Sequence, residues 1–385
     1  MKIGILYDFS VKKGGGDFVM LNILEALQDM YDITLITSKS KGFYEACSNF
    51  GEIVDKFNFH IYEVKVPLFL RHPYTIAYMA KKVSNESNYD LFILSDDVPA
   101  CLANRRVISY IHFPHVARLR FGEHIMRKYT KTLRGRIEWW VHKRLFKKFY
   151  PTQQVSNRWL FIANSIFTKE YIAKSFNIDS KRIILLNPPV ASASINALWR
   201  ESRVQKEDLV VCIGWFEPIK GFDDVINALS LMKNKPRLRL IGFVGDKIYL
   251  ERLVSLVKSL GLENVVSFFS SSGRDFLINS LLKAKVIVHP APHEHFGIAV
   301  LEGMAAGCIP IVRVGFNGPW MEILQEGKYG LGFKTTKELA FAMERAVKMY
   351  EDFDINKIIS RALVFDESRF RSKFLEIVNQ FLSQA

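Results

Sequence analysis

Residues 289–307 of the chain, HPAPHEHFGIAVLEGMAAG, place Glu294 and Glu302 on either side of an apolar run. The preceding stretch, KVIVHP, predicts a strand ending near residue 290, and the apolar run predicts a helix that starts at Phe296 or Gly297. Glu294 is therefore expected in the turn and Glu302 inside the helix. Free N–H groups at 296–298 would attract an anion, and a carboxylate in the turn can accept hydrogen bonds from hydroxyl groups.

Each of the two glutamates also has an ordinary structural explanation. A carboxylate in the turn can cap the helix, and a glutamate in the helix is commonly a solvated surface residue. The surrounding sequence is needed to choose between a structural and a functional role.

Short β-branched runs alternate with helical periods along the whole chain, which is typical of parallel sheets with helical crossovers. The predicted strands are KIGILYD, DITLITS, DLFILS, RVISYIH, WLFIANS and RIILLNPP in the first half, and DLVVCIGW, RLRLIGF, NVVSFF, KVIVHP and IPIVRV in the second. The predicted fold class is α/β, with two doubly wound Rossmann-like domains facing each other across a cleft. A polar stretch at 198–209 sets the boundary, which gives domains of residues 1–198 and 199–364.

Length and composition agree with this organisation. A chain of 385 residues, 49% of them hydrophobic, can form two domains with separate cores. Its four cysteines lack C-x-x-C spacing, so no disulfide framework is expected. The N-terminus enters a strand without a signal peptide's apolar core, and no apolar segment reaches spanning length. These features predict a cytoplasmic protein whose membrane contact, where it exists, is peripheral.

The net charge of +14 is concentrated in the first half of the chain. Residues 1–200 contain 29 Lys and Arg against 17 Asp and Glu, an excess of 12. Within them, residues 118–148 hold eleven basic and two acidic side chains, with Phe121, Trp139, Trp140 and Phe146 interspersed. This pattern suits an anionic surface, and a solvated helix pair with an ordinary buried stripe also explains it.

Two loops have the composition of phosphate-binding turns. Glycines 14–16 follow the first strand and precede the first helix, so backbone N–H groups can approach a phosphate or sugar. Lys220, in GWFEPIKGFDD, precedes a helix whose N-terminus would assist an ammonium in holding a diphosphate. A plain glycine loop and a surface lysine explain these residues equally well when each is taken alone.

Together the residues resemble family 4 of the retaining GT-B glycosyltransferases, whose hallmark is a pair of glutamates separated by seven residues, here Glu294 and Glu302. The resemblance covers nearly the whole chain and includes GGGD, YIHFPH at 110–115, ANSIFTKEYI at 163–172, LNPPV at 186–190, PIKGF at 218–222 and GPWMEIL at 318–324. HEHFGIAVLEGMAAG and YIHFP are most similar to the GDP-mannose-dependent α-1,2-mannosyltransferases that extend dolichol-linked oligosaccharides.

The resemblance implies transfer of a hexose, with mannose from GDP-mannose favoured, to a glycan acceptor linked to polyprenyl or dolichol phosphate. The base and the sugar stay open, and the alternative is transfer from a UDP- or ADP-hexose to a soluble acceptor. The resemblance implies front-face attack by the acceptor hydroxyl, with no protein nucleophile, no metal and no cofactor. The residues to which it gives catalytic roles are His112, Lys220 and Glu294. The residues that it assigns to the donor are Gly15, Gly16, Lys220, Glu294, Phe296, Gly297, Ile298 and Glu302.

Within that set the roles differ. The resemblance implies that Glu294 and the amides of residues 296–298 hold the hexose, that Glu302 binds the ribose hydroxyls and that Lys220 contacts the diphosphate. It also implies that a C-terminal helix at 365–385 packs back on the first domain. A lipid-linked acceptor would place the enzyme peripherally on the cytoplasmic face of a membrane, with the basic segment against anionic lipid and Trp139, Trp140 and Phe146 at the headgroup boundary.

One position departs from the family pattern. Many members have an arginine five residues before the lysine, beside the same diphosphate, and this chain has Trp215 there. Arg313 and Arg274, from other loops, are the candidates to replace the missing charge.

The sequence also permits two other classes of function. Histidines 289, 293 and 295 have the spacing H-x3-H-x-H, which is dense enough for a zinc hydrolase site. A nucleic-acid-binding protein would use the basic segment, but it would leave the glycine loop, Lys220 and both glutamates without a role, so no nucleic-acid partner is expected.

Overall fold

The structure is a computed structural model that describes residues 1–9, 14–67, 70, 73–85, 88–117, 133–150, 155–270 and 272–384. It divides the chain into one unit formed by Met1–Asn187 with Phe370–Ala385 and a second formed by Pro188–Arg369. The predicted boundaries, after residues 198 and 364, therefore differ from the observed ones by 11 and 5 residues, because α6 (Ser192–Ser202) and the segment up to Arg369 belong to the second unit.

The first unit is a parallel sheet with helical crossovers. Its elements in chain order are β1 (Lys2–Leu6), α1 (Gly15–Leu27), β2 (Asp32–Thr37), α2 (Ser40–Phe50), β3 (His60–Glu63), α3 (Tyr74–Val83), β4 (Leu91–Leu94), β5 (Val107–Ile111), α4 (Leu133–Phe149), β6 (Trp159–Ala163), α5 (Ile166–Phe176) and β7 (Ile183–Leu185). The strand order is β3-β2-β1-β4-β5-β6-β7, and every pairing is parallel.

The second unit repeats this architecture. After α6 it contains β8 (Glu207–Ile213), α7 (Phe222–Leu231), β9 (Arg237–Gly242), α8 (Lys247–Ser259), β10 (Val266–Ser270), α9 (Arg274–Lys283), β11 (Ala284–His289), α10 (Ile298–Ala305), β12 (Ile309–Arg313), β13 (Leu331–Phe333), α11 (Thr336–Lys348), α12 (Ile355–Leu363) and the start of α13 (Glu367–Ser383). The strand order is β10-β9-β8-β11-β12-β13, again parallel throughout.

Both sheets reverse their strand order beside the first strand of the unit. The reversal lies between β1 and β4 in the first sheet and between β8 and β11 in the second. Loops that leave the carboxyl ends of two such strands diverge, so a crevice for a ligand forms between them. The predicted α/β class with Rossmann-like domains is confirmed, and the candidate residues lie in the segments that follow β1, β5, β8 and β11.

Close packing determines where the helix after β11 lies. A Cβ added at Gly303 of α10 would come within 2.6 Å of the Ile287 side chain, so only glycine allows the helix to approach the strand this closely. The apolar side chains Val300, Leu301 and Met304 of α10 are fully buried in the core. The same packing orients the first turn of α10 at the carboxyl edge of the sheet.

From Phe370 onward, α13 belongs to the first unit. Its buried side chains Phe370, Phe374, Ile377 and Val378 join the core formed by β1 and α1. Arg371 donates to the Asn22 side chain at 3.0 Å and pairs with Glu25 at 3.3 Å.

The four cysteines are free thiols, as expected. Among the helices in the described part of the chain, none combines the length and apolar character needed to cross a bilayer.

Candidate active site

The loops after β8 and β11 bring Lys220 and Glu294 together in the second unit. A 3₁₀ turn, Pro218–Lys220, ends at Gly221, whose φ of 67° allows α7 to begin at the next residue. Lys220 Nζ lies 2.6 Å from Glu294 Oε2, and His289 Nε2 lies 3.0 Å from the same oxygen. Three groups that the sequence places 74 and 5 residues apart thus form one hydrogen-bonded cluster.

The cluster is charged. Burial alone favours the neutral carboxyl and raises the pKa of Glu294, but the Lys220 ammonium and the His289 hydrogen bond outweigh it, so the pKa lies well below its usual range. Burial lowers the pKa of Lys220, and the Glu294 carboxylate more than compensates, so that pKa is raised. At neutral pH the site therefore holds a carboxylate, which accepts hydrogen bonds, next to an ammonium, which donates them.

Glu302 lies inside α10 and is also held by a cation. Its side chain is 9% exposed, and its Oε1 accepts a hydrogen bond from Arg274 Nη1 at 2.8 Å. Arg274 is the first residue of α9. Each of the two glutamates thus has one carboxylate oxygen bound to a basic side chain, while the other oxygen, Oε1 of Glu294 and Oε2 of Glu302, has no hydrogen-bond partner in the described part of the structure.

Backbone N–H groups lie beside Glu294 at the start of α10. Gly297 caps this helix with a φ of 100°, and a Cβ there would come within 2.8 Å of Pro319, so the position requires glycine. The N–H groups in the first turn of a helix lack intrahelical acceptors. Phe296 is buried with its ring 5.5 Å from that of Phe365, whereas Ile298 is half-buried. The Glu294 carbonyl accepts from Gly318 N at 3.0 Å, which anchors the loop.

Trp215 and the two candidate arginines occupy different positions. Trp215 is half-buried, with its ring 5.6 Å from Phe243. Arg274 is paired with Glu302, and Arg313 forms an ion pair with Asp224 and donates to the Pro290 carbonyl. Replacement of the missing charge by either arginine stays a prediction.

In the first unit, Gly16 and His112 lie together. A Cβ added at Gly16, in the first turn of α1 just after Gly15, would be 3.1 Å from Tyr7 Oη and 3.4 Å from His112 Nε2. Tyr7 donates to the buried carboxylate of Asp17 at 3.0 Å, and the His112 carbonyl accepts from Thr168 Oγ1 at 2.9 Å. The sequence analysis gave neither Tyr7 nor Asp17 a role. The signal for Asp17 was its place as the last residue of the GGGD motif, in the first turn of the helix.

The basic segment is described from residue 133 onward, and Phe121 and the other residues of 118–132 lie outside the described part. Of the aromatic side chains expected at a membrane, Trp139 and Phe146 are buried, with 8% and 2% exposure, so this part of the expectation was wrong. They lie on the helical face that packs into the core, where Phe146 stacks on Tyr150 at 4.8 Å. Trp140 is 56% exposed and carries the Arg144 guanidinium 4.4 Å from its ring centroid.

The zinc site considered for histidines 289, 293 and 295 would need these side chains to converge on one ion. His289 is buried and bonded to Glu294. The described residues contain no group of three or more His, Cys, Asp or Glu side chains placed to bind one ion.

Two family models match the chain. One, described as Glycosyltransferase Family 4, covers residues 13–193, and the other, Glycosyl transferases group 1, covers residues 196–357. With the two Rossmann-like units, these matches show that the chain belongs to the family 4 glycosyltransferases of the GT-B fold.

Within that class, the chain is similar to particular enzymes. It is 26% identical over 267 residues to GDP-Man:Man(3)GlcNAc(2)-PP-Dol alpha-1,2-mannosyltransferase from Dictyostelium discoideum, covering 64% of the chain and 52% of that protein. The human protein of the same name is 29% identical over 174 residues, covering 42% and 35%. The chain thus spans about half the length, or less, of these relatives.

A solved structure supports the fold assignment. Anabaena Alr3699/HepE, crystallised with UDP and glucose, has a TM-score of 0.69 and 19% sequence identity to the chain, covering 99% of the chain and 100% of that protein.

Proposed function

We propose that this glycosyltransferase moves mannose from GDP-mannose, with retention of configuration, to a glycan carried on polyprenyl or dolichol diphosphate. The observation that carries the donor part is the arrangement of the two glutamates. In each, one carboxylate oxygen is fixed by a basic side chain and the other is open. A fixed, ionised carboxylate with an open oxygen is suited to accept hydrogen bonds from sugar hydroxyls.

The roles follow from charge and position. Glu294, beside the N–H groups of residues 296–298, would hold the hexose, and Glu302 the ribose. Lys220 Nζ is bonded to Glu294 at 2.6 Å, so it lies where it can exchange that carboxylate for the donor diphosphate. Because negative charge on the leaving diphosphate grows in the transition state, the ammonium binds the transition state more strongly than the ground state.

The transfer itself is a displacement at the anomeric carbon. The bond from C1 to the diphosphate oxygen breaks with its electron pair going to the diphosphate, and the acceptor hydroxyl forms the new bond on the same face. A phosphate oxygen of the leaving group takes the hydroxyl proton. Gly15, Gly16 and His112 of the first unit would position the phosphate or acceptor and the transferred sugar. No metal or cofactor has a role in this scheme.

GDP-mannose is favoured by the similarity to the mannosyltransferases named above. Thermal unfolding in the presence of GDP, UDP or ADP tests this choice, because a ligand that binds only the native state raises stability. At a hundred times its dissociation constant, GDP should raise the unfolding temperature of the second unit, Pro188–Arg369, by roughly 5 to 10 °C. A shift with UDP or ADP and none with GDP would contradict the mannose assignment while keeping a nucleotide-sugar site.

For the acceptor, the exposed face of α4 supports an association with anionic lipid. Ile137, Trp140 and Val141 are 56%, 56% and 41% exposed and lie along one face of the helix. The exposed basic side chains of the same helix are Arg136, Lys143, Arg144, Lys147 and Lys148. Apolar side chains flanked by basic ones are typical of helices that lie in a membrane interface, and each basic residue contributes about 1 kcal/mol near an anionic leaflet.

Vesicle sedimentation tests this surface. Binding should need anionic lipid, weaken steeply with salt, and fall when Arg136, Lys143, Arg144 and Lys147 are changed to Gln. The matched control changes four exposed basic residues of the same unit, Arg158, Lys174, Lys181 and Arg182, and should keep binding. Equal loss in both variants, or equal binding to neutral vesicles, would count against this membrane face and leave the donor site untouched.

A further inference from the structure

Arg313, the last residue of β12, contacts both loops of the donor site. Its Nε donates to the Pro290 carbonyl at 2.8 Å, and its Nη2 forms an ion pair with Asp224 Oδ2. Its Nη1 donates to the Lys334 carbonyl at 3.4 Å, and the guanidinium lies 4.8 Å from the centroid of the Phe333 ring. The side chain is only 20% exposed, so its orientation is set by these contacts.

The partners of Arg313 are close neighbours of the charged cluster. Pro290 directly follows His289 and lies four residues before Glu294, and Asp224 lies four residues after Lys220 in the first turn of α7. The two loops meet here, since a Cβ added at Gly221 would be 3.4 Å from the Pro290 carbonyl oxygen and 3.5 Å from Asp224 Oδ2. The planar guanidinium can bind both groups at once because its donors point in fixed, different directions.

We propose that Arg313 is a positioning residue that joins the loop after β8 to the loop after β11 and so sets the separation of Lys220 and Glu294. The inference rests on the proposed donor site and deepens it. Arg313 acts through these two residues, because its guanidinium donors are bound to Asp224 and to the Pro290 and Lys334 carbonyls. The Lys220–Glu294 distance of 2.6 Å depends on both loops keeping their relative position.

Three variants test the proposal: Arg313→Lys, Arg313→Met and Asp224→Asn. Lysine keeps the charge but has one nitrogen, so it cannot bind Pro290 and Asp224 together. Asparagine keeps the size of Asp224 and tests the ion pair even where Arg313→Met fails to fold. Each variant should lower kcat for release of GDP from GDP-mannose by roughly 10- to 100-fold, because misplacing the catalytic groups by about 1 Å has an effect of this size.

The pH profile separates positioning from a merely structural role. When the Lys220–Glu294 contact loosens, the pKa of Glu294 rises from its depressed value, so the acid limb of kcat/KM should move to higher pH in all three variants. The control is Arg237→Lys, which changes an exposed ion pair with Glu207 between the first residues of β9 and β8, at the opposite edge of the sheet. It should leave both kcat and the acid limb unchanged.

A direct diphosphate contact by Arg313 predicts the opposite pattern: Arg313→Lys would keep most of the activity, and Asp224→Asn would leave kcat intact. Either result overturns the positioning role. A measurement on the protein without substrate tests the positioning role of Arg313 independently of whether GDP-mannose is the donor. The imidazole ¹⁵N resonances of His289, bonded to Glu294, should shift in Arg313→Lys and Asp224→Asn but not in Arg237→Lys. Unshifted resonances would overturn the inference even in an enzyme that uses GDP-mannose.

Discussion

Replacing Lys220 with Met removes the ammonium of the charged cluster and keeps the length of the side chain. At the observed 2.6 Å, two unit charges attract by about 6 kcal/mol at an effective dielectric constant of about 20, and most of this offsets the loss of hydration. Removing one partner of a buried pair costs about 3–5 kcal/mol because the other charge is left unpaired. Lys220 and Glu294 keep 24% and 17% exposure, and His289 remains bonded, so we expect a loss of about 2–3 kcal/mol at pH 7.

The pH dependence of that loss has a definite sign. Burial raises the pKa of Glu294, and Lys220 and His289 lower it by more, so the folded-state value lies below the unfolded value of about 4.3. The stabilisation is therefore fully present above about pH 4.3 and disappears as the pH falls through the folded-state pKa. The difference between wild type and Lys220→Met should be constant from about pH 5.5 to 7 and shrink below about pH 4.

Urea unfolding of four proteins measures this. Lys220→Met should lose stability, and Lys220→Met with Glu294→Gln should recover most of it, because the unpaired carboxylate is gone. The control is Lys174→Met, which breaks an exposed pair with Glu170 and should cost less than about 1 kcal/mol. A loss in Lys220→Met no larger than in this control, or no recovery in the double variant, would refute the reasoning.

Further changes have the following expected outcomes. Lys220→Ala should lower kcat by roughly 10²- to 10³-fold. Glu302→Ala should mainly raise the donor KM, because ribose contacts change little between the ground state and the transition state. Steady-state kinetics measures both effects, and a result in which the two were reversed would contradict these roles. Gly297→Ala should destabilise the protein by about 1–3 kcal/mol in urea unfolding because of its φ of 100° and the 2.8 Å approach to Pro319, and unchanged stability would contradict the described turn. Trp139→Ala should cost about 3–5 kcal/mol of stability, while Trp140→Ala should cost less than about 0.5 kcal/mol and reduce vesicle binding; equal effects on stability would contradict the helical phase of α4.

Most of the fold could be predicted from the sequence because hydrophobic periodicity marks its strands and helices. All eleven predicted strands occur in the structure. The two strands that were not predicted, β3 and β13, have four and three residues. β3 reads HIYE and has no fully buried side chain, so it lacks the apolar run by which the other strands were recognised. Strands this short form because a neighbouring strand offers hydrogen bonds. That pairing depends on the tertiary structure, which the local sequence pattern does not show.

The sequence singled out candidate site residues but could not predict which of them contact one another. Lys220 and Glu294 were singled out from their loops, but their pairing joins positions 74 residues apart and depends on the strand order. The same holds for Arg313 and Asp224, 89 residues apart. Trp139 and Trp140 are adjacent, and the helical phase that buries one and exposes the other cannot be read from a segment in which basic residues occur on every side.

Anomeric configuration of the product tests the proposed reaction most directly. The purified protein would be incubated with GDP-mannose carrying ¹³C at C1 of the mannose and with a polyprenyl-diphosphate-linked oligosaccharide in anionic vesicles, and the one-bond C1–H1 coupling of the product would be read by NMR. The proposal predicts transfer with the α configuration of the donor retained, at a rate that falls in Lys220→Ala. A β-linked product, or transfer from a UDP- or ADP-sugar and none from GDP-mannose, would contradict it.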